Sequence, residues 1–94
     1  MNKLSEKLIV TINAQFSNFS ARFDKQENDI VITDNHHQQF RLQVDDQASK
    51  PVDRLKYLIM ENPVVASSIE ITNNNQLGDY ALLLHCVYTT IANA

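Results

Sequence analysis

The residues best suited to chemistry lie in one short polar stretch, where Asp34 is followed by His36 and His37. On an extended backbone Asp34 and His36 share one side, whereas His37 points to the other. Zinc needs three or four ligands that converge on one point, and this stretch supplies only two. We therefore interpret residues 34–38 as a polar hairpin turn. A metal-binding protein or small enzyme that uses Asp34, His36 and His37 remains the alternative.

A second pair, His85 and Cys86, has the residue types of a cysteine nucleophile and its base. Adjacent side chains point to opposite sides of a strand and lie about 100° apart on a helix, so this imidazole does not reach this thiol. The apolar run around Cys86 also favours the unreactive protonated thiol. With one glycine, the chain cannot form a glycine-rich phosphate-binding loop. The sequence thus predicts a protein that is not an enzyme, with no catalytic residue, metal ligand or cofactor.

Composition limits the class of protein further. The 94 residues predict a single domain over positions 1–94, and a hydrophobic content of 44% is enough for a core without disulfides. The net charge is −3 and the eight basic residues are dispersed, which makes nucleic acid an unlikely partner. No apolar window approaches the roughly 20 residues of a membrane span. With one cysteine and no signal-peptide pattern, we expect a cytoplasmic protein with no membrane partner.

The N-terminal half has clear periodicity. Apolar residues recur at every fourth position, namely Leu4, Leu8, Ile12 and Phe16, and predict a helix over residues 3 to about 17. Asn2 or Ser5 would cap its start. A strand at residues 8–12 is the alternative. Alternation then predicts three short strands, at residues 19–24, 29–33 and 39–45. Short polar loops join them, so we expect an antiparallel meander with one apolar face and one solvated face.

The C-terminal half is harder to interpret. Ser49 and Pro51 predict the start of a helix that ends before Pro63, with a buried stripe of Val52, Leu55, Leu58 and Ile59. Residues 68–72 alternate as a strand. Residues 80–92 fit a strand, because β-branched residues are frequent there. They also fit a helix with Leu83, Leu84, Val87 and Ile91 facing inward. We prefer the strand. The resulting fold is a small α+β two-layer domain of order α-β-β-β-α-β-β, with two helices on one sheet face.

Residues 80–88 carry more apolar surface than one small sheet face requires, which suggests an interface with a second copy or another protein. We therefore expect a cytoplasmic protein-binding module that occupies a partner's surface, as an inhibitor, an immunity protein or a chaperone-like protein, and that can form a homodimer. Tyr80, Tyr88 and Arg41 are the candidate partner-binding residues, because Tyr and Arg are enriched among interface hot spots. A regulatory nucleic-acid-associated protein is a further alternative.

Overall fold

In a computed structural model, two helices pack on one face of a four-stranded antiparallel sheet. The structure describes the backbone of residues 1–60 and 74–94, and the side chains of 1–59 and 78–94. Its elements are helix α1 (Lys3–Gln15), strands β1 (Phe19–Asp24), β2 (Asp29–Asp34) and β3 (Gln39–Val44), a 3₁₀ turn (Pro51–Asp53), strand β4 (Leu55–Met60) and helix α2 (Asn74–Ala92). The strands lie side by side in chain order. The predicted α+β class is confirmed.

Helix α1 has the predicted buried stripe, in which Leu4, Leu8 and Ile12 are almost fully buried. Asn2 is the N-cap, and its Oδ1 accepts a hydrogen bond of 2.7 Å from the backbone N–H of Ser5. The same side chain donates through Nδ2 to the carbonyl of Val44 at 2.9 Å. One residue therefore caps the helix and attaches its first turn to the end of β3.

The three-stranded meander is also confirmed, with bounds that differ from the prediction by one residue at most. β1 pairs with β2 so that Ala21 faces Ile32, and β2 pairs with β3 so that Ile32 faces Phe40. Side chains opposite each other point to the same face, so alternate residues of the three strands form one apolar layer beneath the helices. The buried members are Phe19, Ala21, Ile30, Ile32, Phe40, Leu42 and Val44.

The predicted helix from Pro51 to residue 62 is wrong. Only the 3₁₀ turn at Pro51–Asp53 forms, and the chain continues as β4, antiparallel to β3, with Leu58 opposite Leu42. Val52 and Ile59, expected in a buried helical stripe, are instead 80% and 53% exposed. Pairing with β3 satisfies the main-chain groups of that strand and overrides the local helical pattern. The predicted strand at 68–72 lies outside the described residues.

The preferred strand at residues 80–92 is wrong, and the helical alternative is the one observed. Within α2, Leu83, Val87 and Ile91 are buried at four-residue intervals, while Leu84 is half-buried. The helix begins at Asn74, so Gly78 lies inside it rather than before it. A continuous apolar stripe that packs on the core outweighs the modest cost of β-branched residues in a helix.

Arg54 connects the two ends of the C-terminal half. Its Nη1 donates to the carbonyl oxygens of Ile91 and Ala94, both at 3.0 Å, and its Nε donates to the carbonyl of Ala48 at 3.1 Å. The last carbonyls of a helix have no partner within the helix and carry partial negative charge. The guanidinium therefore stabilises the C-terminus of α2 and holds it beside the 3₁₀ turn.

Candidate partner-binding surface

Arg41, the first of the three predicted partner-binding residues, lies on the sheet face opposite the two helices. Its Nη1 donates to Asp24 Oδ2 at 3.0 Å and to Asp29 Oδ1 at 2.8 Å. The register places Asp24 directly opposite Asp29, where two carboxylates would repel each other without a cation between them. Tyr57 completes the group by donating its hydroxyl to Asp29 Oδ2 at 2.7 Å. We call these four residues the open-face cluster.

Two side chains of the open-face cluster, Asp24 and Tyr57, have shifted pKa values. The hydrogen bond from Arg41 holds the pKa of Asp24 below its usual value of 3.8. Burial, followed by the hydrogen bond to Asp29, raises the pKa of Tyr57 to about 12. Both oxygens of Asp29 accept a hydrogen bond, although only 2% of its side chain is exposed. The cluster thus provides the buried carboxylate of Asp29 with a cation and a hydroxyl donor, which offset the cost of its burial.

Tyr80, the second predicted residue, lies on the helix-covered side of the sheet. Its ring packs against Phe19 and Phe40, with centroid distances of 5.4 and 5.7 Å. Its hydroxyl donates to Asp34 Oδ2. Burial, and then this hydrogen bond, raises the pKa of Tyr80 well above its usual value. Tyr80 therefore attaches α2 to the end of β2, and no observation tests its predicted role in partner binding.

The double histidine lies in a turn, as interpreted from the sequence. Asp34 Oδ1 accepts hydrogen bonds from the backbone N–H groups of His36 and Gln38, at 2.8 and 2.9 Å. His37 adopts φ 63°, in the left-handed region that a tight turn requires. The carboxylate of Asp34 thus accepts three hydrogen bonds, including the one from Tyr80. Among the described residues, no group of three or more His, Cys, Asp or Glu side chains is arranged to hold a metal ion.

His85 and Cys86 are neighbours on α2 that differ in exposure, and both line a shallow surface groove. Cys86 is 9% exposed and packs towards the core, whereas His85 is exposed. Thr90, one turn further along, donates its hydroxyl to the carbonyl of Cys86 at 2.7 Å.

Tyr88, the third predicted residue, borders an apolar groove between the 3₁₀ turn and the C-terminal half of α2. Its side chain is 52% exposed, and Val52 across the groove is 80% exposed. We call this the Tyr88 groove, and its lining residues are Pro51, Val52, Leu55, Tyr88, Ile91 and Ala92. An aromatic and an aliphatic side chain exposed side by side are typical of a protein-binding surface.

The structure does not bring the three predicted residues together. Phe40, which contacts Tyr80, and Arg41 are neighbours in β3 and point to opposite faces of the sheet. Tyr88 lies eight residues beyond Tyr80 on α2, about 12 Å along the helix axis. Sequence reasoning missed Val52 because a helical stripe placed it in the core. If residues 55–60 had been interpreted as a strand, Val52 would have fallen outside the predicted buried stripe.

Comparisons of the chain with protein-family models, with curated proteins and with solved structures find no match. None of the helices in the described part of the chain combines the length and apolar character needed to cross a membrane. The surfaces themselves are therefore the basis for a functional interpretation.

Proposed function

We propose that this chain is a small protein-binding module that acts by occupying the surface of a partner protein. The observation that carries this proposal is the Tyr88 groove, in which Val52 and Tyr88 are 80% and 52% exposed beside other apolar residues. Exposing these side chains to water is unfavourable, and burying them against a partner recovers that free energy. The expected mode of action is that of an inhibitor, an immunity protein or a chaperone-like protein in the cytoplasm.

The anatomy of the groove supports binding to another protein. Tyr88 combines a large apolar ring with a hydroxyl, and such side chains dominate binding energy when a partner removes them from water. Leu55 and Ile91 form the floor, held in place by packing on the core, so little ordering is needed on binding. Lys50 and Asp53, both exposed, flank Pro51 and Val52 in the chain.

The titratable groups of the structure support binding rather than catalysis. The carboxylates of Asp29 and Asp34 each accept hydrogen bonds at both oxygens, and these bonds hold a sheet face and a turn in place. A general acid or base needs a proton-transfer atom within hydrogen-bond reach of a substrate. At both Asp29 and Asp34, the hydrogen-bond donors are groups of the protein itself. Arg41 is paired with Asp24 and Asp29 on the opposite face of the sheet and is not part of the Tyr88 groove.

The test compares two variants on the same helix. Tagged wild type, Tyr88→Ala and Leu82→Ala are used for affinity capture from a lysate of the native organism, and the partner is identified by mass spectrometry and then titrated in purified form. Leu82 is 60% exposed but lies about 120° away from Tyr88 around α2, outside the groove. It therefore controls for loss of exposed apolar surface in general.

We expect Tyr88→Ala to weaken binding of the purified partner by about 2 kcal/mol or more, roughly thirtyfold in Kd, as for a hot-spot aromatic residue. Leu82→Ala should change it by less than about 0.5 kcal/mol. Equal losses in the two variants, or capture that persists fully in Tyr88→Ala, would contradict binding through this groove. Recovery of the wild type without any stoichiometric partner would contradict the function itself.

A further inference from the structure

Three basic side chains surround an open cavity of about 290 Å³ beside the N-terminal end of α1. We call it the lysine cavity, and its lining residues are Lys3, Leu4, Lys7, Asp46, Arg54 and Ala94. The basic residues are dispersed along a chain whose net charge is −3, and the fold brings these three together. The cavity is thus a local concentration of positive charge on an acidic protein.

Two of these charges lie where they oppose the stability of the helix. Lys3 and Lys7 are four residues apart on α1, a spacing at which like charges on the helix surface repel each other. They also occupy its first two turns, beside the positive end of the helix dipole. Neither lysine forms an ion pair with a described residue. Side chains that oppose the local stability of an element are expected at functional sites.

Arg54 adds a third positive charge that still has donors to offer. Its Nε and Nη1 donate to the carbonyls of Ala48, Ile91 and Ala94, whereas its Nη2 has no partner among the described residues. A guanidinium and two ammonium groups around one cavity suit a carboxylate, which accepts several charge-assisted hydrogen bonds. Leu4 and the alkyl stems of the two lysines offer apolar contact to the methylene groups of an acidic side chain.

The lysine cavity lies at one end of the fold, beside the last turn of α2. Asn2, next to Lys3, donates to the carbonyl of Val44, and Val44 faces Leu55 at the start of β4. Residues 61–73, outside the described part, follow the other end of β4, about 17 Å along the strand. They precede the other end of α2, about 27 Å along the helix. The cavity is therefore distant from both positions where those residues join the described chain.

We infer that the lysine cavity binds an acidic side chain of the protein that occupies the Tyr88 groove. This inference rests on the proposed function and names the chemistry of the partner. Arg54 lines the cavity, while its neighbour Leu55 lines the groove. On α2, Ala94 lines the cavity and Ala92 lines the groove. The cavity and the groove are therefore adjacent around the C-terminus of α2, where one segment with apolar and acidic residues can occupy both.

The surrounding charges favour an acidic protein segment over nucleic acid or an anionic membrane. Asp46 lines the cavity itself, and Asp45 and Asp53 lie in the preceding loop and the 3₁₀ turn. A polyanion would meet these carboxylates as well as the three cations, and the net charge of −3 would repel it. A single carboxylate between the lysines and Arg54 is attracted locally and meets little of that repulsion.

Two double variants that lose the same charge test the inference by titration with the purified partner of the Tyr88 groove. Lys3→Gln/Lys7→Gln neutralises the cavity, and Lys25→Gln/Lys56→Gln neutralises two exposed lysines that line neither the cavity nor the groove. At low salt the first should raise Kd by roughly tenfold, as expected for two partly exposed ion pairs, and the second by less than about twofold. The difference should shrink as NaCl is raised to roughly 0.5 M.

Stability separates a binding role of the lysines from a structural one. Because glutamine removes charges that oppose the helix, Lys3→Gln/Lys7→Gln should unfold at the same or a higher urea concentration than the wild type. A lower urea midpoint would mean that the two lysines serve the fold, and it would overturn the inference. Equal changes of Kd in the two double variants, or no change in either, would overturn it as well.

Failure of this inference and failure of the proposed function can be told apart. If Tyr88→Ala weakens binding of the partner and Lys3→Gln/Lys7→Gln does not, the proposed function holds and the inference fails. If no partner is captured, the proposed function fails, and a peptide probe still tests the chemistry of the cavity.

The probe is acetyl-Leu-Glu-Glu-Leu-amide, compared by NMR with its glutamine counterpart and with inorganic phosphate. At roughly 10 mM, the glutamate peptide alone should shift the amide resonances of Lys3, Lys7 and Arg54, and Lys3→Gln/Lys7→Gln should abolish the shifts. Absence of these shifts, or equal shifts with the glutamine peptide, would overturn carboxylate binding. Larger shifts with phosphate would identify a phosphate site and overturn it too.

Discussion

The two faces of the sheet exclude water by different means. Beneath the helices, Ile30, Ile32 and Leu42 are fully buried by close packing of apolar side chains. On the opposite face, Asp29 and Val31 are 2% and 0% exposed although no described helix lies over them. There Asp29 belongs to the open-face cluster, and its carboxylate accepts hydrogen bonds from Arg41 and Tyr57. Burial by packing is insensitive to pH, whereas burial by charged groups depends on their protonation.

Val31 shows how the open face is sealed. The register places it between Arg22 on β1 and Arg41 on β3, in one row across the sheet. Arginine side chains lay their aliphatic stems along apolar surface while the charged ends interact elsewhere. The ion pairs of Arg41 hold its charged end beside Asp24 and Asp29. Other residues of this face, such as Arg22 and Ile59, are exposed, so burial here is limited to Asp29 and Val31 among the described residues.

The largest expected effect is on the helix-covered face. Leu42→Ala removes a fully buried side chain from the centre of the core and leaves a cavity. We expect the free energy of unfolding to fall by about 2–5 kcal/mol, measured by urea denaturation. A loss below about 1 kcal/mol would mean that the core collapses around the cavity, and the contrast between the two faces would weaken.

On the open face, Asp29→Ala should lower the free energy of unfolding by about 1–3 kcal/mol, because Arg41 and Tyr57 both lose a partner. Arg41 retains Asp24, which limits the loss. Asp53→Ala, at an exposed position of the 3₁₀ turn, is the matched control and should stay within about 0.5 kcal/mol of wild type. If the two variants behaved alike in urea, the open-face cluster would not stabilise the fold.

Tyr57→Phe tests the hydroxyl alone and should cost about 1 kcal/mol at neutral pH. Because the folded pKa of Tyr57 is raised from 10.0 to about 12, its contribution is present below pH 10 and is lost as pH rises towards 12. Between these values, wild-type stability should fall more steeply than that of Tyr57→Phe. Parallel alkaline stability curves for the two proteins would contradict the hydrogen bond to Asp29.

The smallest effect is expected at acid pH. The folded pKa of Asp24 is lowered, so its contribution to stability is present above the usual value of 3.8 and is lost as pH falls through the folded value. Asp24→Asn removes this titration. We therefore expect thermal denaturation at a series of pH values below 4 to show a shallower loss of Tm for the variant. A steeper loss would indicate that Asp24 is unfavourable when charged.

The sequence predicted the N-terminal half well, since there β1 and β3 alternate, β2 is a short β-branched run between polar turns, and the helix repeats every fourth residue. In these segments, local pattern and tertiary environment agree. The apolar positions 52, 55, 58 and 59 fit a helix as well as a strand, and residues 80–92 fit both. In such segments, the pattern alone does not show which main-chain partner is available. Pairing with β3 selected a strand for residues 55–60, and packing over the sheet selected a helix for residues 80–92.

The candidate surface residues also divide into those that the sequence indicated and those that only the structure revealed. Residue type alone singled out Tyr88 and Arg41, because Tyr and Arg are the side chains that interfaces use most. The sequence by itself predicted the polar turn at His36 and His37, a helix cap at Asn2 or Ser5, and the alternation that gives one apolar sheet face. Only the tertiary structure decided that Val52 is exposed beside Tyr88 and that Arg41 is paired with Asp24 and Asp29. It also decided that the side chain of Asn13 hydrogen-bonds the backbone of Ala21 at the edge of the sheet. Each of these depends on residues distant in the chain, whose proximity the fold creates and no local pattern contains.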